Sequence, residues 1–262
     1  AVRAVAALEN ARLADAPRHA DAAKVAEIAA MRGMSVTIFD AMPSLGRKFL
    51  VAGKGGLNLT HGESMEKFVT RYGGGDRVFW ENLLNEFNPS ALREWAGGLG
   101  IETFQASSGR VYPKEMKAAP LLRRWITRLR ELGVQIETRH RLVGIKPGRP
   151  HELSFSNGVT VHAPAVVFAM GGGSWSRTGS DGSWVECFAT REIKYRPLAP
   201  ANCGWEHAWS AETLALAEGK PLKNIVVSAG DQQAVGELLV SRYGLEGGAI
   251  YQLSAVLRAM KL

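Results

Sequence analysis

The sequence predicts an α/β fold built on a parallel sheet, and three observations carry that expectation. A helical stretch over Ala20–Arg32 is followed by Gly33 and then by the strand-length run Met34–Asp40 (MSVTIFD), which ends on an acid. Helix, glycine, strand and acid in that order make the second half of a βαβ unit. An unbroken apolar run, Ala163–Met170, leads directly into Gly171–Gly173, and a strand apolar on both faces suits the buried centre of a parallel sheet. Glycine, finally, accounts for 29 of 262 residues, gathered in short runs without a fixed period. That exceeds the usual share of about 7%, and such runs mark tight loops close to a ligand.

The elements follow in order. The opening AVRAVAALENARLADAPRHADAAK is Ala-rich and interrupted by Pro17, and nothing in it reads as a strand. Gly33 stops the first helix because glycine takes the left-handed conformation at a helix end. After a turn at Pro43, Ser44 caps a helix running to about Val51, followed by the loop AGKGGLNLTH. Short helices are expected near 64–71, 76–87 and 89–98, the last with Pro89 at its first position behind Asn88. In PLLRRWITRLRELG, Leu121, Leu122, Trp125, Leu129 and Leu132 form one apolar stripe, Arg123, Arg124, Arg128 and Arg130 point elsewhere, and Gly133 ends the helix. Strands are expected at 134–138 and 141–146. A hairpin in ELSFSNGVTV follows, with Asn157-Gly158 at the turn, where both residues can adopt positive φ. Beyond Pro197 come short strands (223–228, 235–240) and a helix from about Gly248.

Composition narrows the class of function. With 46% hydrophobic and 22% charged residues, the chain has an ordinary globular balance, so disorder, coiled coil and collagen are excluded. The length allows one large domain or two. The longest apolar stretch falls far short of the ~20 residues of a membrane helix, and no signal peptide opens the chain; a cytoplasmic protein is expected. Two cysteines without a CxxC pair exclude a disulfide framework, and the six histidines show no metal-ligand spacing, so no metal is expected. No GxSxG or P-loop occurs. The net charge of +7 is concentrated in residues 110–149, which hold 11 Lys/Arg against 3 Asp/Glu. The arginines of that segment read most simply as a solvated helix face, and a nucleic-acid-binding module is the competing reading.

Three constellations carry chemistry. Asp40 ends its strand where a dinucleotide-binding βαβ unit places an acid against ribose hydroxyls; an ordinary strand-terminating Asp is the plainer alternative. In GRKFLVAGKGGLNLTH (Gly46–His61) glycines let the backbone approach a phosphate or a flat ring, and Arg47, Lys48 and Lys54 add positive charge. The run AMGGGSWSRTGSDGSW (Ala169–Trp184) follows an apolar strand, where doubly wound sheets hold their ligands.

Four runs, SVTIFDAMPSLGRKFLVAGKGGLNLTH, SSGRVYPKEMKAAPLL, VVFAMGGGSWSRTGSDGSW and GELLVSRYGLEGGAIY, stand in this order between Met34 and about Arg258. Together they resemble the bacterial BaiN/YhiN-like flavoproteins, a family of NAD(P)/FAD-dependent oxidoreductases. The resemblance implies a Rossmann-like, two-dinucleotide-binding-type FAD domain with an inserted β-rich domain, FAD as cofactor with NAD(P)H as reductant, and a small-molecule substrate. Under it, Asp40 holds the adenosine ribose, while Gly46, Arg47 and Lys48 approach the pyrophosphate. Lys54, Gly55, Gly56, Leu57 and Asn58 lie along the cofactor towards the isoalloxazine. The backbone near Leu142 meets adenine, and Ala169, Gly171 and Gly172 close the cofactor from the second sheet edge. It implies no catalytic acid or base.

Two departures from the family pattern shape the expected organisation. The glycine fingerprint is expected near Pro17, His19 and Ala22, none of which is glycine, and the family's glycine-rich return to the flavin is not met before Leu262. Residues 1–33 are therefore expected to be an atypical segment with a remnant first helix. Residues 34–195 then make an incomplete FAD-binding domain, and 196–262 the start of an inserted β-barrel-like domain. Weak FAD retention follows from that organisation. An FAD-dependent oxidoreductase leads; a truncated, inactive remnant and a basic nucleic-acid module stay open beside it.

Overall fold

A computed structural model describes residues 3–5, 21–52, 56–72, 76–190, 193–200 and 203–260. The chain divides into two units, Ala1–Leu198 and Ala199–Leu262. In chain order the first unit runs β1 (Arg3–Val5), α1 (Asp21–Met31), β2 (Ser35–Asp40), α2 (Arg47–Ala52), β3 (Thr60–His61), α3 (Met65–Val69), α4 (Arg77–Glu86) and α5 (Pro89–Gly98). It continues with β4 (Thr103–Gln105), β5 (Arg110–Pro113), α6 (Ala118–Glu131), β6 (Gln135–Thr138), β7 (Leu142–Lys146), β8 (His151–Phe155), β9 (Thr160–Ala163) and α7 (Trp184–Ala189).

The strands β1, β2 and β6 form a parallel sheet with β2 at its centre. Val36 and Ile38 of β2 are fully buried, and α1 lays Ala23 and Ala26 into the same core beside Leu121, Leu122, Trp125 and Leu129 of α6. That four-residue stripe is the one expected from sequence; Leu132 caps the helix end and is half-buried. Asn88 caps α5 as expected, its side chain accepting from Ala91 N at 2.9 Å. Two antiparallel sheets complete the unit, in the orders β3-β5-β4 and β7-β8-β9.

Gly133 closes α6 at φ +80, with Val134 N–H donating to Leu129 O at 2.9 Å and Gly133 N–H to Arg130 O at 2.9 Å. A Cβ there would meet nothing within 4 Å, so Gly133→Ala carries only the cost of a left-handed backbone. Urea unfolding should show a loss of about 1 kcal/mol.

Five expectations are corrected. Residues 3–5 do pair, parallel to β2 from Arg3↔Ser35 to Val5↔Thr37, because a ladder is made by main-chain groups whatever the side-chain pattern; the rest of the opening to residue 20 lies outside the described residues. Ser44 does not cap α2: the helix opens on the Gly46 carbonyl, which accepts from Leu50 N at 3.1 Å, and the Ser44 hydroxyl accepts from Arg47 Nε at 3.2 Å. The β8–β9 turn has positive φ at Gly158 alone. Asn157 Oδ1 instead accepts from Val159 N at 3.1 Å, a local side-chain turn that makes the second left-handed residue unnecessary.

The apolar run after Ala163 is not a ladder strand either; residues 164–170 carry a single bridge at Val167. Val166 and Phe168 pack against Ile145, Leu153 and Phe155 of the β7–β9 sheet. Burial against a neighbouring sheet satisfies apolar side chains without strand pairing, so an apolar run of strand length does not require a strand. Lastly, Arg123, Arg124 and Arg130 of α6 are exposed as expected, but Arg128 is only partly so, and two of the four side chains are held by the protein. Arg124 donates to the carbonyls of Leu99, at 3.2 Å, and Gly100, beyond the end of α5 where helix carbonyls lack partners. Arg128 Nε lies 2.9 Å from Glu27 Oε1, and the Glu27 carboxylate is wholly buried.

The second unit contains β10 (Trp205–Glu206), α8 (Ala211–Ala217), β11 (Pro221–Ala229), β12 (Gln232–Ser241), β13 (Gly244–Glu246) and α9 (Gly248–Ala259). Its strands form one antiparallel sheet in the order β10-β13-β12-β11. Ala249 and Leu253 of α9 are buried against Ala229 and Ala234 of that sheet. Among the described residues of both units, no helix is long and apolar enough to cross a membrane.

Candidate functional site

A cavity of about 180 Å³ opens in the first unit. One buried water needs only about 10–15 Å³ on this measure, so the space suits a ligand group and not a stray solvent molecule. Its wall is made by the first turn of α1 (Ala22, Ala23), the end of β2 (Ile38–Asp40), Leu45–Lys48, the buried face of α6, His140–Leu142 and the segment 168–184.

Asp40 stands at the carboxyl end of the central parallel strand, where α/β sheets present their ligand-binding loops. Its Oδ1 accepts from Met42 N at 2.8 Å. Burial pushes its pKa up; the Met42 amide and the nearby Arg47 charge only partly offset that. A desolvated carboxylate of this kind gains by accepting hydroxyl donors from a ligand. Gly46, at φ +73, lets the chain pass over α6: a Cβ there would stand 2.8 Å from both methyl carbons of Leu122.

Lys48 of α2 donates from Nζ to Ser174 Oγ and Ser180 Oγ, each at 3.2 Å. Burial pushes its pKa down to about 8. The 171–184 segment is also held from β7's side: Arg141 donates to Asp181 Oδ2 at 2.8 Å and to Ser183 Oγ at 3.1 Å. Burial opposes ionisation of Asp181, but the Ser183 hydroxyl and amide and the Arg141 guanidinium outweigh it and hold the carboxyl below its ordinary value. Phe39 and Phe155 stack 4.7 Å apart, and His140 meets both edge-on at 5.3 Å, giving the cavity an aromatic wall.

An anion bound here should weaken as pH rises through about 8. Anion binding favours the Lys48 ammonium, so above the ligand-free midpoint near 8 the observed affinity for ADP should fall by about tenfold per pH unit, until the midpoint of the complex is reached. Calorimetric titration between pH 7 and 10 checks the slope.

The structure thus brings Asp40, Gly46, Arg47, Lys48, Leu142, Ala169 and Gly171 to one cavity. Gly172 is buried beside Gly171 but not in the cavity wall. Gly56, Leu57 and Asn58 are not brought to it: Leu57 is wholly buried in the sheet–helix core, and the Gly56 backbone, at φ +111, packs near Met116. Lys54 and Gly55 lie outside the described residues. Sequence reasoning missed Arg141, Asp181 and Ser183 as a cross-link. The glycine run drew attention to their loop, but nothing in the sequence pairs position 141 with position 181.

A family model described as the HI0933-like protein Rossmann domain matches residues 22–242. The 3-dehydro-bile acid delta(4,6)-reductase of Clostridium scindens is 29% identical over 237 residues, which are 88% of this chain and 56% of the reductase. The chain therefore spans a little over half the length of that relative. Among solved structures, the 3-ketosteroid-delta4-(5alpha)-dehydrogenase of Rhodococcus jostii, in complex with 4-androstene-3,17-dione, is similar over 76% of this chain and 50% of its own, at 15% identity and a TM-score of 0.46. With the matched residues covering most of its length, the chain belongs to the HI0933-like Rossmann family.

Proposed function

We propose that the chain is part of an FAD-dependent oxidoreductase that moves a hydride or electron pair to or from a small organic molecule, with NAD(P)H as reductant. One observation carries the reading: a single cavity holds the Asp40 carboxylate, the Lys48 ammonium, the first turn of α1 and the glycine-backed turn at Gly46. That donor set fits a dinucleotide. Asp40 accepts ribose hydroxyls, and Lys48, with Arg47 beside it, neutralises the diphosphate. The first-turn amides of α1 add partial positive charge where small residues, Ala22 and Ala23, permit approach. Leu142 and the wall of Phe39, His140 and Phe155 offer the apolar side an adenine ring needs.

FAD, when bound, supplies the two-electron chemistry; the residues of this chain bind and orient it. Residues 34–195 would form the FAD-binding part and 196–262 the inserted β-rich part. The kinship with a reductase named for a delta(4,6) bile acid points to an unsaturated ketone as the substrate class. The test is a titration of FAD into the purified protein, followed by flavin fluorescence. Saturable quenching, reversed by ADP and not by riboflavin, is expected even if the complex is lost on gel filtration. No saturation at millimolar FAD, with the circular dichroism of a folded α/β protein, would overturn the reading.

A further inference from the structure

We propose that Ser174 and Ser180 are positioning residues for Lys48: their hydroxyls aim its ammonium into the cavity as an anion-binding group, so anion affinity depends on the loop that carries them. This rests on the dinucleotide reading of the cavity. Lysine is a compact charge on a flexible stem with rotatable donors, so its direction must be set by what it is bonded to. Here both hydroxyl acceptors come from more than 120 residues further along the chain.

The loop is built to hold them in place. Trp175 and Ser180 pair across it, Trp175 N–H donating to Ser180 O at 3.0 Å and Ser180 N–H to Trp175 O at 3.2 Å. Ser180 itself is 5% exposed and lines the cavity. Gly179, at φ +98, packs where a Cβ would stand 2.8 Å from Met42 Cγ, and Met42 is the residue whose amide binds Asp40. The same loop therefore touches the turn of the carboxylate and the side chain of the cation. Burial disfavours the ammonium at this site, whereas hydrogen bonds to the charged form favour it.

The experiment uses S174A, S180A, the double variant and S180T in the whole chain, each checked for folding by circular dichroism. Two quantities are read: the titration midpoint of the Lys48 side chain in the ligand-free protein, by NMR of ¹³C-labelled lysine, and the Kd for ADP by calorimetry. The midpoint is expected to fall below that of the wild type in each alanine variant and furthest in the double one. The Kd should rise roughly tenfold for each hydroxyl lost, and S180T should retain both properties. An unchanged midpoint in the folded double variant overturns the inference, and so does a weaker ADP complex without a shifted midpoint, which marks mere loop damage. If the wild type binds neither FAD nor ADP, the dinucleotide reading fails, and the midpoint alone then decides whether the serines position Lys48.

Discussion

Replacing Glu27 with alanine is expected to cost about 3–5 kcal/mol of stability, the usual loss when one partner of a buried charge cluster is removed. Glu27 lies on α1 and is wholly buried. Its Oε2 accepts from the indole N–H of Trp95 at 2.9 Å and of Trp125 at 3.1 Å, and from Lys24 Nζ at 3.3 Å. Arg128 Nε stands 2.9 Å from Oε1 as an ion pair, although Oε1 makes no aligned hydrogen bond. One carboxylate thus ties α1 to α5 and α6 across the core. Burial pushes the Lys24 pKa down, and the Glu27 carboxylate beside it opposes that.

Alanine at position 27 would leave two indole N–H groups without their acceptor and a partly buried guanidinium without its counter-ion. Thermal denaturation should fall by roughly 10 °C, at 2–4 °C per kcal/mol for a chain of this size. Glu27→Gln keeps an acceptor for the indoles and loses the charge, so its loss should be smaller. A change below about 1 kcal/mol in Glu27→Ala would mean that the cluster relaxes and contributes nothing net, as some buried ion pairs do.

Asp40→Asn should weaken ADP and FAD binding by about 10–100-fold, the value of a hydrogen bond to a charged acceptor, while leaving stability unchanged or slightly raised. The sign follows from the raised pKa of Asp40. A carboxyl whose folded value lies above its unfolded value contributes stability at low pH and loses it as pH rises through the folded value. At neutral pH the ionised group therefore opposes folding. Asparagine removes that cost and keeps an oxygen for Met42 N–H. Loss of affinity without loss of stability separates a binding residue from a structural one. A parallel fall in both, measured by calorimetry and urea unfolding of the same sample, would assign Asp40 to the turn alone.

How much of this was legible depended on whether the signal was local. The helix before Gly33, the strand ending on Asp40, the Asn88–Pro89 cap and the stripe from Leu121 to Leu129 are all written in spacing or in a single backbone requirement, and each lies where the sequence places it. Misreadings arose where one local signal had two tertiary outcomes. The apolar run after Ala163 reports burial, and the wall formed by Val166 and Phe168 meets that as well as a strand would. The α6 arginines report charge, and only the approach of α5 and α1 decides that Arg124, though exposed, also reaches carbonyls and that the half-buried Arg128 reaches a carboxylate.

By itself the sequence determined the α/β class, the acid at the strand end and the glycine and lysine run beside it, because periodicity, glycine conformation and charge act within a few residues. The tertiary structure alone decided that Lys48 meets Ser174 and Ser180, that Arg141 meets Asp181, and that Glu27 gathers two tryptophans and an arginine. Those contacts join residues from about 40 to more than 130 positions apart. Nothing local specifies such pairs: the partners lie on elements that only the packing brings together, and where burial is complete, as at Glu27, the polar group must find its partner there.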